Sequence, residues 1–284
     1  MSKRTVVLVG GPDSGKTNYM ARLWVSIAEG NGAVSALTTP QNIKYVEDAI
    51  SHLHSGSFAP RTDQNLEAGR GSLALSLASD GAEDGAMELV IPDVSGEIWK
   101  AAVESGEIPS EWMTILESAE GALLFVRVLS DQNVSPLDWI NSAELMGVLG
   151  DDFEGYPTQV VLCEMARFLE EKLSPPANGQ APRLAVVVTA WDLIDQQQAN
   201  AGPRAYLAKE YPLFIGMLDH LEGVDVAIFG MSIVGGDLEA DAAFRESFLE
   251  TEFESTGYVV AERQDTIHKT SDLALPIAWA AGAA

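Results

Sequence analysis

The chain is poor in the residues that build covalent staples and metal cages. Its one cysteine, Cys163, leaves no intramolecular disulfide to form. It falls inside an apolar helical pattern, VVLCEMARFL, which suits a buried structural thiol better than a reactive one. Four scattered histidines, His52, His54, His220 and His268, make no zinc constellation, because His52 and His54 fall on different helix faces. Basic residues are scarce too: 17 Lys and Arg stand against 42 Asp and Glu, a formal net charge of -25. Such a surface repels phosphate backbones and anionic headgroups, which argues against nucleic acid and membrane surfaces as partners. Long apolar runs are also missing. The start, MSKRTVVLVGG, is too short for a signal-peptide core, and the tail, LALPIAWAAGAA, is too short to span a bilayer. That tail reads as a helix capped by Ser271 or Asp272 and packed on the body, and the expected compartment is the cytoplasm.

What the chain has is a succession of short apolar runs separated by helical patterns. Thr5–Val9 is unalternating, as in a strand buried on both faces of a parallel sheet. Met20, Leu23, Trp24, Ile27 and Ala28 then recur at helical spacing until Gly30 and Gly32. A second helix is expected from Thr39-Pro40 to Ser55-Gly56, with Val46, Ala49, Ile50 and Leu53 on one side. Residues 73–93 read as a β-hairpin, and 122–128, 184–188 and 224–229 as further strands. Helices are expected over 159–173 and around 203–221, the latter bent by Pro212. Strand and helix in alternation predict an α/β, doubly wound, three-layer fold with a mostly parallel sheet and one antiparallel hairpin strand. The whole of 1–284 is expected to be a single domain, with insertions near 31–60 and 129–158 and a C-terminal helical extension over 238–284.

Between the first strand and the first helix stands Gly10-Gly-Pro-Asp-Ser-Gly-Lys-Thr17, which fits G-x-x-x-x-G-K-[ST]. Phosphate oxygens need inward-turned backbone N–H groups, which requires glycine where side chains would collide. Gly10, Pro12, Asp13, Ser14, Gly15, Lys16, Thr17 and Asn18 are therefore candidate nucleotide contacts. Lys16 would bridge the terminal phosphates and the Thr17 hydroxyl would join a Mg²⁺ shell.

MELVIPDVSGE places Asp93 at the end of an apolar strand and Gly96 three residues on. This order resembles P-loop GTPases, in which such an acid holds Mg²⁺ through water opposite Thr17 and the glycine N–H senses the terminal phosphate. The resemblance also implies a loop threonine closing on Mg²⁺, for which Thr62 in FAPRTD is the candidate, beside an Arg61 that could act in cis or be merely solvated. Glu97 stands where many such GTPases carry a glutamine that orients the attacking water. It would orient water, act as a base, leave turnover slow or partner-dependent, or simply open a helix. A late Thr189-Ala-Trp-Asp192 keeps the Thr and Asp of the guanine-recognition motif, while Ala190 replaces a lysine whose stem normally packs along the base. Trp191 is a candidate substitute surface, and Ser232, in Gly230-Met-Ser232 after the last strand, is a further candidate base contact.

Together GGPDSGKTNYMARLW, FAPRT, PDVSGE and TAWD resemble the bacterial double-GTPase group of the TRAFAC-type GTPases over roughly residues 4–235. The resemblance implies a P-loop NTPase of GTPase-like fold that binds GTP or GDP with Mg²⁺ and hydrolyses GTP as a molecular switch in a bacterial multi-protein system. Protein partners would dock on the switch and insertion regions, and a homo- or heterodimer stays open. Two rivals remain: a non-hydrolysing nucleotide-gated interaction module, and an ATP-using P-loop ATPase.

Overall fold

The computed structural model describes residues 2–30, 32–40, 43–60, 72–79, 86–92, 99, 102–103, 105–108, 110–131, 133–138, 140–142, 156–253, 256–263 and 266–283. Among these residues nine strands form one sheet: β1 (Ser2–Val9), β2 (Val34–Ala36), β3 (Ser72–Ser79), β4 (Ala86–Pro92), β5 (Gly121–Arg127), β6 (Arg183–Thr189), β7 (Asp225–Ser232), β8 (Tyr258–Arg263) and β9 (Thr266–Thr270). Their order across the sheet is β2-β3-β4-β1-β5-β6-β7-β8-β9. β4, β1, β5, β6 and β7 run parallel, whereas β3 against β4, β2 against β3, and β7-β8-β9 are antiparallel. The doubly wound plan holds. The sheet carries more antiparallel strands than the single hairpin strand expected, because short additions extend it at both edges.

The helices are α1 (Lys16–Glu29), α2 (Lys44–His54), α3 (Ser110–Ser118), α4 (Thr158–Lys172), α5 (Gln196–Ala201), α6 (Pro203–Glu210), α7 (Pro212–Leu218), α8 (Ala242–Glu250) and α9 (Leu275–Ala280). Alternate residues of the central strands feed two cores, which is why the strand sequences do not alternate in polarity. Val6, Leu8, Leu123 and Phe125 pack with Leu23 and Ile27 of α1 and Ile277 of α9. Val7, Val9, Leu124 and Val126 pack with Leu162 and Met165 of α4, Leu207 of α6 and Phe214 of α7. Pro212 does not bend a single helix: it is the first residue of α7, where its missing N–H costs nothing. The second helix starts at Lys44, later than the expected Thr39-Pro40, and Ile43 precedes it. Cys163 is half-buried, and burial together with the neighbouring Glu164 charge raises its pKa, which fits a quiet thiol.

The C-terminal segment expected to be helical is instead α8, the β8–β9 hairpin and α9. The hairpin enters the sheet because β7 would otherwise be an open edge, and its residues Val259 and Ala261 bury in the α1 core. Asp272 accepts from Ala274 N at 2.9 Å as α9 begins, and from Ala33 N at 2.9 Å.

A buried arginine ties α1 to this segment. Arg22, 2% exposed, donates to Ile233 O at 2.9 Å and Thr256 O at 2.6 Å, and its guanidinium lies 4.1 Å from the Phe253 ring centroid. Replacing Arg22 by methionine keeps bulk but leaves those carbonyls without this donor, at a cost of about 3 kcal/mol. The thermal midpoint is expected to fall by roughly 6–12 °C. Calorimetry showing a drop under about 2 °C would remove Arg22 from the stabilising contacts.

Candidate functional site

Ligands of open α/β sheets bind at the carboxyl ends of the strands, where the winding reverses. Here that point is β1, flanked by β4 on one side and β5 on the other. The turn after β1 is built to close tightly. Gly10 has φ 157°, and a Cβ there would sit 2.8 Å from Ser14 Oγ and 3.0 Å from Phe125 O, so no side chain fits. Asp13 at φ 59° and Gly15 at φ 92° turn the chain left-handed into α1. No side chain caps the start of α1, so its N–H groups are not taken by a cap and can serve an anion.

Lys16 folds back over the turn: its Nζ donates to Gly10 O at 2.8 Å, Gly11 O at 2.9 Å and Ser14 Oγ at 3.1 Å. Thr189 is brought to this turn, its hydroxyl donating to Ser14 O at 3.0 Å. Asn18 Oδ1 accepts from Ala59 N at 3.0 Å, tying α1 to the chain three residues ahead of Thr62 in the sequence. Thr17, the first hydroxyl inside α1, has the hard oxygen that suits Mg²⁺.

At the far end, β6 finishes in Thr189, Ala190 takes φ 55°, and Trp191–Leu193 make a single 3₁₀ turn. Trp191 is no base platform. It is 2% exposed, edge-on to Tyr206 at 5.7 Å, and lies so close over Gly230 that a Cβ there would come within 2.7 Å of the indole. Its burial fixes the turn that presents Asp192. Burial pushes the Asp192 carboxyl pKa up, while the Ser232 hydroxyl bonding to it and the charge of Arg127 pull the other way. Ser232 is fully buried and its Oγ accepts from Gly235 N at 2.8 Å, so the hydroxyl proton is left for Asp192. Asp192 and Ser232, separated by 40 residues of sequence, are thus brought together.

Thr62, Asp93, Gly96 and Glu97, with Arg61, lie outside the described residues. β4 ends at Pro92, one residue before Asp93, and is β1's parallel neighbour. Among the described residues no cluster of His, Cys, Asp or Glu could hold a metal by itself.

The sequence reading passed over three residues at this edge. Arg127 closes β5 with Nη1 3.2 Å from Asp13 Oδ1; its one signal was a charge ending an otherwise apolar strand. Tyr258 pairs in register with Ser232, and Lys269 Nζ lies 3.5 Å from the Tyr258 ring centroid. Both line a cavity of about 440 Å³ that also touches Gly235, Phe244 and Phe248.

A glycine turn closed by its own lysine, at the switch point of a doubly wound sheet, defines a P-loop nucleotide-binding protein. The chain belongs to the Double-GTPase 1 family, whose sequence profile matches residues 7–280, and it is a GTP-binding P-loop protein. Comparison with curated proteins finds no match. Among solved structures it is similar to the Arl6 BBS3 small GTPase from Trypanosoma brucei with bound nucleotide analogue GppNp, with a TM-score of 0.39 and 12% identity over 88% of this chain and 96% of that one. It is also similar to a bacterial selenocysteine-specific elongation factor, EF-Sec, with a TM-score of 0.36 and 14% identity over 88% of this chain. The match spans 29% of that factor's length.

Proposed function

We propose that the chain is a Mg²⁺-dependent GTPase that hydrolyses GTP to GDP and phosphate and works as a molecular switch within a bacterial multi-protein system. The observation that carries this reading is one sheet edge holding both the Lys16-closed turn and the half-buried Asp192 bonded to buried Ser232. The turn takes phosphates through its N–H groups and Lys16. The Asp192 carboxylate accepts from guanine N1 and its exocyclic amine, donors that adenine lacks in that arrangement. Thr17, Asp93 and Thr62 would hold Mg²⁺, which when bound offsets charge developing on the phosphate oxygens. Glu97 orients a water in line with the terminal phosphate. The water oxygen bonds to that phosphorus as the bond to the bridging oxygen breaks, releasing GDP and inorganic phosphate.

No helix among the described residues is long and apolar enough to cross a membrane. Exposed Leu129, Leu137 and Ile140 support the 129–158 insertion as a surface for protein partners. Two measurements test the reading. Calorimetry should show GDP and a GTP analogue binding, with ADP at least about 100-fold weaker; equal binding of ADP discards the guanine reading. Phosphate release should fall about 100-fold in Glu97→Ala, with GDP affinity within about twofold of the parent. If the parent turns over no faster than Lys16→Ala yet binds nucleotide, the chain is instead a non-hydrolysing nucleotide-gated module.

A further inference from the structure

In the sheet β5 lies between β1 and β6, so the carboxyl end of β5 falls between the phosphate turn and the base turn. Arg127 occupies that end. Its backbone pairs with Thr189, and Val128 N donates to Thr189 O at 3.1 Å, which holds it one residue from Ala190. Its Nη1 lies 3.2 Å from Asp13 Oδ1 and 3.5 Å from Asp13 O, which steers the side chain along the phosphate turn. About a third of the side chain stays exposed. Its charge is also felt at Asp192, so the guanidinium lies within electrostatic reach of both ends of the site.

We propose that Arg127 is a second base-contacting residue of this site beside Asp192, its guanidinium plane lying against one face of the purine where Ala190 supplies no side chain. The inference rests on the guanine-nucleotide reading above. A guanidinium is flat, weakly hydrated and stacks on aromatic faces, so it covers a purine while keeping its N–H edge free for Asp13. Ala190 contributes one methyl group, and Trp191 is committed to the core, so neither offers that surface. The Asp13 ion pair has a second effect. An acid inside an anion-binding turn repels phosphate, and Arg127 offsets that charge.

These two effects must be separated, so the experiment starts from Asp13→Asn, which keeps an acceptor for Arg127 and removes the charge. In that background Arg127→Ala is expected to weaken GDP binding by roughly 10–30-fold in calorimetry, the value of one base-stacking partner. Adding Ala190→Lys is expected to bring the affinity back to within about threefold of Asp13→Asn alone, because a lysine stem then covers the same face. Residues 190 in both variants carry a Cβ, so the left-handed backbone there costs alike. If Asp13→Asn/Arg127→Ala binds GDP within about threefold of Asp13→Asn, Arg127 serves only to neutralise the turn and the inference is overturned. Recovery that fails on adding Ala190→Lys also overturns it. A parent protein that binds no GDP would instead sink the guanine reading itself.

Discussion

Replacing Lys16 with alanine is expected to weaken GDP binding at least about 100-fold, or about 2.7 kcal/mol, and to reduce GTP turnover to the level of protein-free buffer. The structure shows what the ammonium does before any nucleotide is considered. It is the donor that gathers Gly10 O, Gly11 O and Ser14 Oγ around one charge and so keeps the turn closed. A bound diphosphate would share that charge. Charge-assisted hydrogen bonds contribute about 1.5–3 kcal/mol each, so losing even two exceeds the expected effect. Lys16 is only partly buried, so the fold should survive its removal with a nearly unchanged thermal midpoint. Calorimetry of the alanine variant with GDP gives the answer directly. Affinity within about threefold of the parent would mean the turn is not the phosphate site.

The phosphate turn was legible in the sequence because everything that specifies it is local. An apolar strand, a glycine, Gly10, where no Cβ fits, and a lysine–threonine pair opening a helix all lie within residues 5–17. The central strands were legible for the same reason: burial on both faces leaves continuous runs such as LAVVVT and ALLFV. The C-terminal hairpin was not seen. YVVAER and TIHKT carry strand-forming residues, but as an edge pair they show a weak pattern that is readily taken for part of an amphipathic helix. Trp191 could not be placed from sequence at all. Its role depends on Gly230 of a neighbouring strand leaving a space for the indole, a tertiary fact with no local trace. Arg127 was missed for a related reason: only the strand order puts the end of β5 between the two turns that the motifs mark. Thr189 shows the converse. Its motif position groups it with Asp192, yet the contact its hydroxyl makes is with Ser14 of the glycine turn.

Asp192→Asn is expected to change which base the protein prefers, not merely how tightly it binds. The carboxylate offers two acceptors, matching the two donors on guanine's N1 and exocyclic amine. An asparagine offers one acceptor and one donor, so the guanine amine then meets an N–H, and GDP affinity should drop by roughly 10³-fold. Xanthine carries an oxygen in place of that amine and restores the match, so xanthosine diphosphate should become the tighter ligand. The same chemistry fixes a pH dependence. In the free protein burial raises the Asp192 pKa, and the Ser232 hydroxyl only partly offsets this. Free-protein stability from this group therefore declines as pH rises between the ordinary carboxylate value and the raised one. Guanine donors favour the ionised form, so binding has the opposite slope: GDP affinity is full above the raised pKa, falls as pH drops through it, and binding there releases a proton. The asparagine variant should lose that slope while Ser232 and the turn stay in place. Titrations of both proteins with GDP and xanthosine diphosphate across the acid range decide the matter. An unchanged base preference in Asp192→Asn would place the purine elsewhere on the sheet edge.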